Sequence, residues 1–340
     1  MINYKNEYFN HRCCWLHRFS YRDALLSQGE NVIGIDSLND YYDVSLKEAR
    51  LSKLSDYDKF EFFKLDINNK ESLDKIFHAS QPGYVIHLAA QAGVGYSIKN
   101  PYAYIEANIN GFMNILEASR NESTKHLVFA SSSSVYGANT KLPFSVNDNV
   151  DHPLSLYAAT KKSNELMAHV YSHLYDIPTT GLRFFTVYGP WGRPDMALFT
   201  FTKKILNGEE IDVFNKGQHK RDFTYIDDIV EGIEHVTSDI PTSDSNWNSD
   251  KPHPSTSIAP YRLHNIGNST PVELMYFIEL IEKNLDRKAK VNYLPLQPGD
   301  VPDTHANVDT LVDKINYYPS TSIEVGVENF IRWYKEYYKL

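Results

Sequence analysis

The chain has 340 residues, a formal net charge of −9 and an apolar content of 42%, enough for one large or two modest domains with a real core. The negative charge argues against a general nucleic-acid binder, and no apolar stretch approaches the roughly 18 residues of a membrane span. Cys13 and Cys14 are adjacent and cannot build a disulfide framework, which favours a reducing cytoplasm.

Short apolar runs alternate with helical patterns through the first half of the chain. Strands are predicted at residues 31–36, 60–67, 84–90, 126–130 and 180–185. Helices are predicted at residues 72–79, 101–120 and 155–175. This alternation predicts an α/β fold with a doubly wound parallel sheet, whose ligands lie beyond the carboxyl ends of the strands.

The pattern changes beyond about residue 190, where Pro and Gly punctuate the chain. Helices are predicted at residues 199–206, 272–285 and 327–338, and residues 238–260 read as an exposed loop. We therefore predict a larger domain over residues 1–188, to which residues 222–236 return. Residues 189–340 are predicted to form mainly a smaller, substrate-binding domain.

Tyr157 and Lys161 stand four residues apart in a predicted helix, so they share one helix face. A cation beside a phenol favours the ionised form, which can act as a general base. The run Ser131 to Ser134 follows a predicted strand and offers hydroxyls to a substrate alcohol. This set fits removal of a carbinol proton while hydride leaves for a nicotinamide, although YxxxK alone is most often two ordinary helix residues.

Asp36 ends a predicted strand, where a carboxylate can bind both ribose hydroxyls of an adenine nucleotide and repel a 2′-phosphate. That arrangement selects NAD over NADP. An isolated aspartate at this place is more often a helix cap or a turn residue. Asp66 and Ile67 follow the next strand and could approach the adenine, and residues 88–91 include small side chains suited to a flat ligand.

Two arginines could clamp a phosphate or carboxylate through the planar guanidinium. Arg193 follows a loop with the sequence GPWG, and Arg221 precedes a predicted strand. A single arginine is more commonly part of a surface ion pair. The turn from Gln297 to Asp300 presents one carboxylate suited to a ribose diol, but as an isolated pattern it is only a turn.

Several segments together resemble the extended short-chain dehydrogenase/reductase family, specifically its nucleotide-sugar 4-epimerases. The matching segments are VIGIDSLNDYYDVSLKEARL, HLAAQAGVGYSI, SSSSVYG, YAATKKSNELMAHVY, RFFTVYGPWGRPDMALF, RDFTYIDDIVEGI and QPGDVPDT. The resemblance implies a Rossmann sheet and NAD-dependent conversion of UDP-glucuronate to UDP-galacturonate through a 4-keto sugar. It also implies a homodimer in which residues 101–120 and 155–175 form a four-helix interface. No metal site is expected.

The resemblance implies roles for the matching residues. Tyr157 would be the catalytic base, Lys161 would bind the nicotinamide ribose, and Ser132 would share the hydrogen bond to the 4-hydroxyl. The residues implied to hold the sugar carboxylate are Ser133, Ser134 and Thr186. Those implied to hold the UDP portion are Arg193, Arg221, Gln297 and Asp300. Those implied to line the dinucleotide, with Tyr157 and Lys161, are Asp36, Asn39, Asp66, Ile67, Leu88, Ala90, Gln91 and Asn108.

Two features separate the rival activities. Thr186 stands where galactose-type epimerases carry Asn, which favours a uronic acid, yet a UDP-glucose 4-epimerase remains an alternative. A 4,6-dehydratase would carry an Asp-Glu pair where this chain has Ser133 and Ser134. A third alternative is a non-catalytic relic that binds UDP-sugar without NAD.

The relic alternative arises at the N-terminus, where the family has the glycine loop TGxxGFIG, whose N–H groups hold the pyrophosphate. This chain has NHRCCWLH instead, with no glycine before Gly29 and no apolar run for a first strand. Read one base later, suitable codons for residues 6–19 encode MNILITGAAGFIGF. We interpret the chain up to about Arg22 as a compensated frameshift, and predict that this segment is poorly packed or forced into the strand position.

Overall fold

The computed structural model describes residues 7–11 and 16–340, and the side chains of Tyr8 and of residues 19–340. Its strands are β1 (Glu7–His11), β2 (Asn31–Asp36), β3 (Phe60–Lys64), β4 (Tyr84–His87), β5 (His126–Ser132), β6 (Thr179–Phe184), β7 (Thr186–Tyr188), β8 (Glu210–Val213), β9 (Lys220–Tyr225), β10 (Tyr261–Ile266), β11 (Pro271–Glu273) and β12 (Lys290–Tyr293).

Helices connect these strands. They are α1 (Leu16–Ser27), α2 (Val44–Leu54), α3 (Lys70–Ser80), α4 (Val94–Lys99), α5 (Tyr102–Tyr104), α6 (Gly111–Asn121), α7 (Leu156–Tyr175), α8 (Ala197–Leu206), α9 (Ile226–Ser238), α10 (Leu274–Leu285), α11 (Asp309–Ile315) and α12 (Ile323–Tyr338). Among the described residues, no helix is both long enough and apolar enough to cross a membrane.

The largest sheet of the described chain has seven strands in the order β10-β6-β5-β4-β1-β2-β3, and every pair is parallel. The chain runs outward from β1 to β3 on one side and from β4 to β10 on the other. The predicted doubly wound sheet is therefore confirmed. Its switch point lies between β1 and β4, where ligands of such sheets bind.

Most of the predicted elements are present, with shifted ends. Strand β3 ends at Lys64 and β4 at His87, whereas β5 continues to Ser132. The predicted helix over residues 101–120 is divided into α5, a π-helical turn (Ile105–Asn110) and α6. The sequence reading missed helices α1, α2, α4, α9 and α11 and strands β7, β8, β10, β11 and β12, whereas the strand predicted after Arg221 is present as β9.

The first strand forms although the sequence offers no apolar run for it. Strand β1 pairs in parallel with both β2 and β4, so both of its edges are hydrogen-bonded although its sequence has no apolar run. The Tyr8 ring stacks on Tyr84 with 5.0 Å between centroids. Helix α1 packs against α9, and Tyr21 donates a hydrogen bond to Thr237 at 3.2 Å. The segment thus takes the strand position, the second of the two predicted outcomes.

In the described part of the chain, two further sheets lie outside the central one. Strand β9 pairs with β7 and β11, and β12 pairs with β8. Helices α8, α10 and α12 cover this part and contribute to one hydrophobic core with β9. The domain boundary at residue 188 stays a prediction, but β10 joins the central sheet and α9 packs against α1 from beyond it.

Candidate active site

A cleft of about 420 Å³ opens beyond the carboxyl ends of β4 and β5. It lies between the central sheet and the C-terminal part of the chain. The structure brings together in its lining many of the residues singled out from the sequence. These are Leu88, Ala90, Ser132, Ser133, Ser134, Tyr157, Lys161, Thr186, Arg193, Arg221 and Asp300.

Tyr157 lies in the first turn of α7, next to the helix start. Ser155 caps this helix by accepting a hydrogen bond from the Ala158 N–H at 3.2 Å. Lys161 follows one turn later, is 1% exposed, and donates from Nζ to the Ala130 carbonyl of β5 at 2.7 Å. That bond ties Lys161 to β5, the strand that carries the serine run. The side chains of Tyr157 and Lys161 line the same cleft.

The serine run is divided between two roles. Ser131 donates to Glu165 Oε1 at 2.6 Å and therefore faces the core. Ser132 accepts a hydrogen bond from the Ser134 N–H at 3.2 Å and begins a 3-10 turn (Ser133–Tyr136). This turn presents the hydroxyls of residues 132–134 at the cleft wall, as the sequence analysis predicted for a site that binds alcohols or carboxylates.

Glu165 belongs to a buried network that the sequence reading missed. Its carboxylate accepts hydrogen bonds from Arg183 at 2.8 and 2.9 Å, and both side chains are at most 1% exposed. Arg183 also reaches Tyr136, which donates to Asn265 at 2.6 Å. Burial would raise the pKa of Glu165, but the charge and hydrogen bonds of Arg183 hold it below its ordinary value. The sequence signal for this network was a glutamate, Glu165, one helical turn after Lys161.

Arg193 forms an ion pair with Asp195 at the cleft wall. Its Nε donates to Asp195 Oδ1 at 2.9 Å, and NH2 contacts Oδ2. Tyr41 lies 3.5 Å from the same carboxylate. Burial opposes the charge of Arg193, but Asp195 outweighs it and raises the pKa of the guanidinium. Asp195 lines the cleft and was missed, although it follows Arg193 by two residues.

Arg221 and Asp300 are brought together from distant parts of the chain. NH2 of Arg221 lies 3.1 Å from both carboxylate oxygens of Asp300, and NH1 donates to the Pro302 carbonyl at 2.5 Å. Burial lowers the pKa of Arg221. The Gln297 carbonyl accepts a hydrogen bond from the Asp300 N–H at 3.2 Å, which forms the predicted turn, but Gln297 itself is exposed and is not part of the cleft lining.

The expected dinucleotide residues lie along the adjoining strand ends. Asp36 ends β2, is 2% exposed, and accepts a hydrogen bond from the Leu38 N–H at 2.8 Å. Asn39 follows and accepts a hydrogen bond from Lys47 at its side-chain oxygen at 2.8 Å. A buried carboxylate and an amide at this strand end suit the hydroxyls of a ribose.

Asn108 joins two elements beside this region. Its side chain accepts a hydrogen bond from the Gln91 N–H at 2.7 Å and donates to the Gln91 carbonyl and to Thr160, both at 3.0 Å. Asn108 thus fixes the loop after β4 against α7. Ile67 is buried, whereas Asp66 is exposed and holds Asn68 in a turn. The side chain of Asp66 therefore holds a local turn, and the carboxylate of Asp36 makes the same kind of turn contact through the Leu38 N–H.

The position of the family glycine loop falls between β1 and α1. Residues 12–15, and the side chains of His11, Leu16 and His17, lie outside the described residues.

Aromatic residues of the cleft wall were also missed in the sequence reading. They are Phe184, Phe185, Tyr188, Phe199 and Phe330. The segment RFFTVYG was the available signal, since paired aromatics after a buried strand can wall a pocket.

A model of the NAD dependent epimerase/dehydratase family matches residues 21–248. Protein CapI of Staphylococcus aureus is 59% identical over 315 residues, which are 93% of this chain and 94% of that protein. The probable UDP-glucuronate 4-epimerase of Rhizobium meliloti strain 1021 is 48% identical, with 94% of each chain covered. The UDP-glucuronic acid 4-epimerase of Bacillus cereus, solved with UDP-glucuronic acid and NAD, is 30% identical with a TM-score of 0.86, covering 98% of this chain and 100% of that one.

Proposed function

Because the chain belongs to the NAD dependent epimerase/dehydratase family, we propose that it interconverts UDP-glucuronate and UDP-galacturonate by NAD-dependent inversion at C4. The observation that carries this proposal is one cleft lined by Tyr157, Lys161 and the hydroxyls of Ser132 to Ser134. The named activities of the Rhizobium and Bacillus relatives support the same reaction.

The described cofactor residues fit NAD. Asp36 offers a buried carboxylate to a ribose diol, and the apolar side chains of Leu88 and Ala90 line the cleft. Asp36, Asn39 and the loop at Gln91 would hold the cofactor. Bound NAD would supply reversible hydride acceptance for C4 of the sugar.

Side chains of the protein carry out the proton transfer at the C4 hydroxyl. Tyr157 accepts the proton of the C4 hydroxyl and returns it when the inverted alcohol forms. Lys161 favours the ionised phenol through its charge, and its bond to Ala130 keeps it in place. Ser132 hydrogen-bonds the same oxygen. Because the sugar must present both faces, UDP must stay anchored while the sugar turns.

Substrate selection is proposed to rest on two groups of residues. The hydroxyls of Ser133, Ser134 and Thr186 line the cleft together and would donate to the sugar carboxylate. Arg193 and Arg221 would hold the diphosphate and its neighbours, with Asp300 and Gln297 at the ribose. A neutral-sugar epimerase is the alternative that this arrangement disfavours, since it would leave those donors without a carboxylate.

The reaction is tested by incubating the purified protein with UDP-glucuronate and following the anomeric proton of UDP-galacturonate by NMR. With NAD supplied, formation of UDP-galacturonate without net consumption of NAD supports the proposal. UDP-glucose at equal concentration serves as competitor, and preferential conversion of UDP-glucose would contradict the uronate assignment. Absence of any 4-epimer from either sugar, with NAD supplied, would contradict the enzyme assignment.

A homodimer is proposed on the basis of one apolar surface. Leu166, Val170 and Leu174 form a stripe on α7 and are 57%, 48% and 60% exposed, while Met113 of the adjacent α6 is 37% exposed. A second copy would cover these residues by pairing α6 and α7 into four helices. Leu166→Glu should give a monomer in sedimentation experiments, whereas Val325→Glu, at a 49% exposed apolar residue of α12, should not. The reducing setting favoured by Cys13 and Cys14 supports a cytoplasmic location.

A further inference from the structure

Helix α2 lies between the cofactor residues and the substrate cleft and buries a cationic face. Lys47 and Arg50 are 1% and 0% exposed. The Tyr42 ring lies between them, 4.3 Å from Lys47 Nζ and 5.7 Å from the Arg50 guanidinium carbon. Lys47 donates to Asn39, on the cofactor side. Arg50 points the other way, to the loop that leads into Arg193.

Three hydrogen bonds within the described residues are donated by the two terminal nitrogens of Arg50. NH1 donates to the Tyr42 hydroxyl at 2.8 Å. NH2 donates to the carbonyls of Trp191 and Gly192 at 2.5 and 3.0 Å. These carbonyls belong to the two residues directly before Arg193, 141 and 142 positions away from Arg50 in sequence.

The loop held by Arg50 has an unusual backbone. Trp191 has φ of 64°, in the left-handed region that non-glycine residues rarely adopt. Gly189 has φ of 144°, and a Cβ there would meet Ile226 Cγ2 at 2.6 Å. Such a conformation persists only where surrounding contacts hold it. A buried guanidinium bonded to two consecutive carbonyls is a contact of that kind.

We propose that Arg50 is a positioning residue for Arg193: by fixing the carbonyls of residues 191 and 192, it holds the Arg193 guanidinium at the cleft wall where UDP-sugar binds. This rests on the proposed function, in which Arg193 contacts the UDP portion. Asp195 holds the same guanidinium from its other end. One contact thus holds the backbone next to Arg193, and the other holds its side chain.

The test compares Arg50→Lys with the wild type. A lysine keeps the charge but is a single point donor, without the planar fork that reaches Tyr42 and both carbonyls. We expect the dissociation constant of UDP-glucuronate, measured by calorimetry, to rise about 10-fold or more. The value of kcat should stay within about twofold, because Arg193 binds the UDP portion and not the reacting C4.

A structural readout accompanies the affinity. Amide hydrogen exchange of residues 189–196, measured without ligand, should become faster in Arg50→Lys and stay unchanged in the central sheet. Arg287→Lys is the matched control, since Arg287 also donates to a backbone carbonyl, that of Leu206, but is exposed and absent from the cleft lining. It should leave affinity and exchange at wild-type values.

If Arg50→Lys does not fold, Tyr42→Phe tests whether Arg50 positions Arg193. It removes only the hydroxyl that orients Arg50, and we expect about a threefold rise in the dissociation constant with faster exchange at residues 189–196. Wild-type affinity or exchange in the folded variant overturns the proposal, as does a fall in kcat alone. If the wild-type protein binds UDP-glucuronate but does not epimerise it, the proposed function is contradicted. In that case the affinity and exchange measurements still decide whether Arg50 positions Arg193.

Discussion

Glu165 and Arg183 form a buried ion pair with two parallel hydrogen bonds, of 2.8 and 2.9 Å, directly behind the serine run. Ser131 adds a third bond to the same carboxylate. The pair joins α7, which carries Tyr157 and Lys161, to the sheet that carries the serines. The catalytic elements are therefore held together by charge as well as by apolar packing.

Removing one partner of this pair should be costly. Glu165→Gln leaves the Arg183 charge buried without its counter-ion, and we expect a loss of roughly 3–5 kcal/mol in the free energy of unfolding. Urea denaturation measures it. Glu71→Gln breaks the exposed pair with Lys75 and should cost at most about 1 kcal/mol. Equal small losses in both variants would contradict the structural importance of the buried pair.

Tyr157→Phe keeps the ring but removes the proton acceptor. We expect epimerisation of UDP-glucuronate to slow by about 10²–10⁴-fold, because a positioned general base contributes that much. Tyr276→Phe, which removes an exposed hydroxyl bonded to Glu324, is the control and should keep the wild-type rate. An active Tyr157→Phe enzyme would show that another group takes the proton. The rate is measured by NMR with NAD supplied in excess.

Thr186→Val should change substrate preference. A hydroxyl donor to a carboxylate contributes roughly 1.5–3 kcal/mol, so kcat/KM for UDP-glucuronate should fall about 10- to 100-fold, and that for UDP-glucose much less. Thr186→Ser keeps the hydroxyl and should retain most of the preference. Equal losses on the two sugars would mean that the sugar carboxylate is bound elsewhere.

The N-terminal segment gives a prediction about NAD. Replacing residues 6–19 by MNILITGAAGFIGF restores glycines whose N–H groups can approach a pyrophosphate at the start of a helix. We expect the altered chain to retain NAD through gel filtration and the present chain to lose it, as measured by absorbance after acid release. Equal retention by both chains would refute the need for the glycine loop. The frameshift reading fails separately if the coding DNA cannot give this string one base later.

His126 should make the protein less stable in acid. Burial lowers the pKa of its imidazole to about 4, and the neutral ring bonds the Thr237 carbonyl and the Thr180 hydroxyl at 3.0 and 2.9 Å. The unfolded chain binds this proton near pH 6.5, so the folded state loses stability as pH falls from about 6.5 to about 4, by on the order of 3 kcal/mol. Below about pH 4 the contribution of this residue should level off.

His126→Asn should therefore show a flatter dependence of melting temperature on pH in that window. His78→Asn, at an exposed histidine, should follow the wild-type curve. Identical curves for all three proteins would mean that other groups account for the acid sensitivity.

The sequence predicted those features that depend on short-range patterns. Strand and helix alternation specified the parallel sheet, since period and length distinguish its elements locally. The spacing of Tyr157 and Lys161 placed both on one helix face, and the strand ends placed Asp36 and the serine run at one edge of the sheet. These relationships follow from the geometry of single elements, and the structure shows all of them.

Other features were decided only by tertiary structure. Arg221 meets Asp300 across 79 residues, Arg183 meets Glu165 between a strand and a helix, and Arg50 reaches the Trp191 carbonyl across 141 residues. Strand β1 forms without an apolar run because two neighbouring strands supply its hydrogen bonds. Long-range pairs of this kind depend on how elements cross, which no local periodicity records.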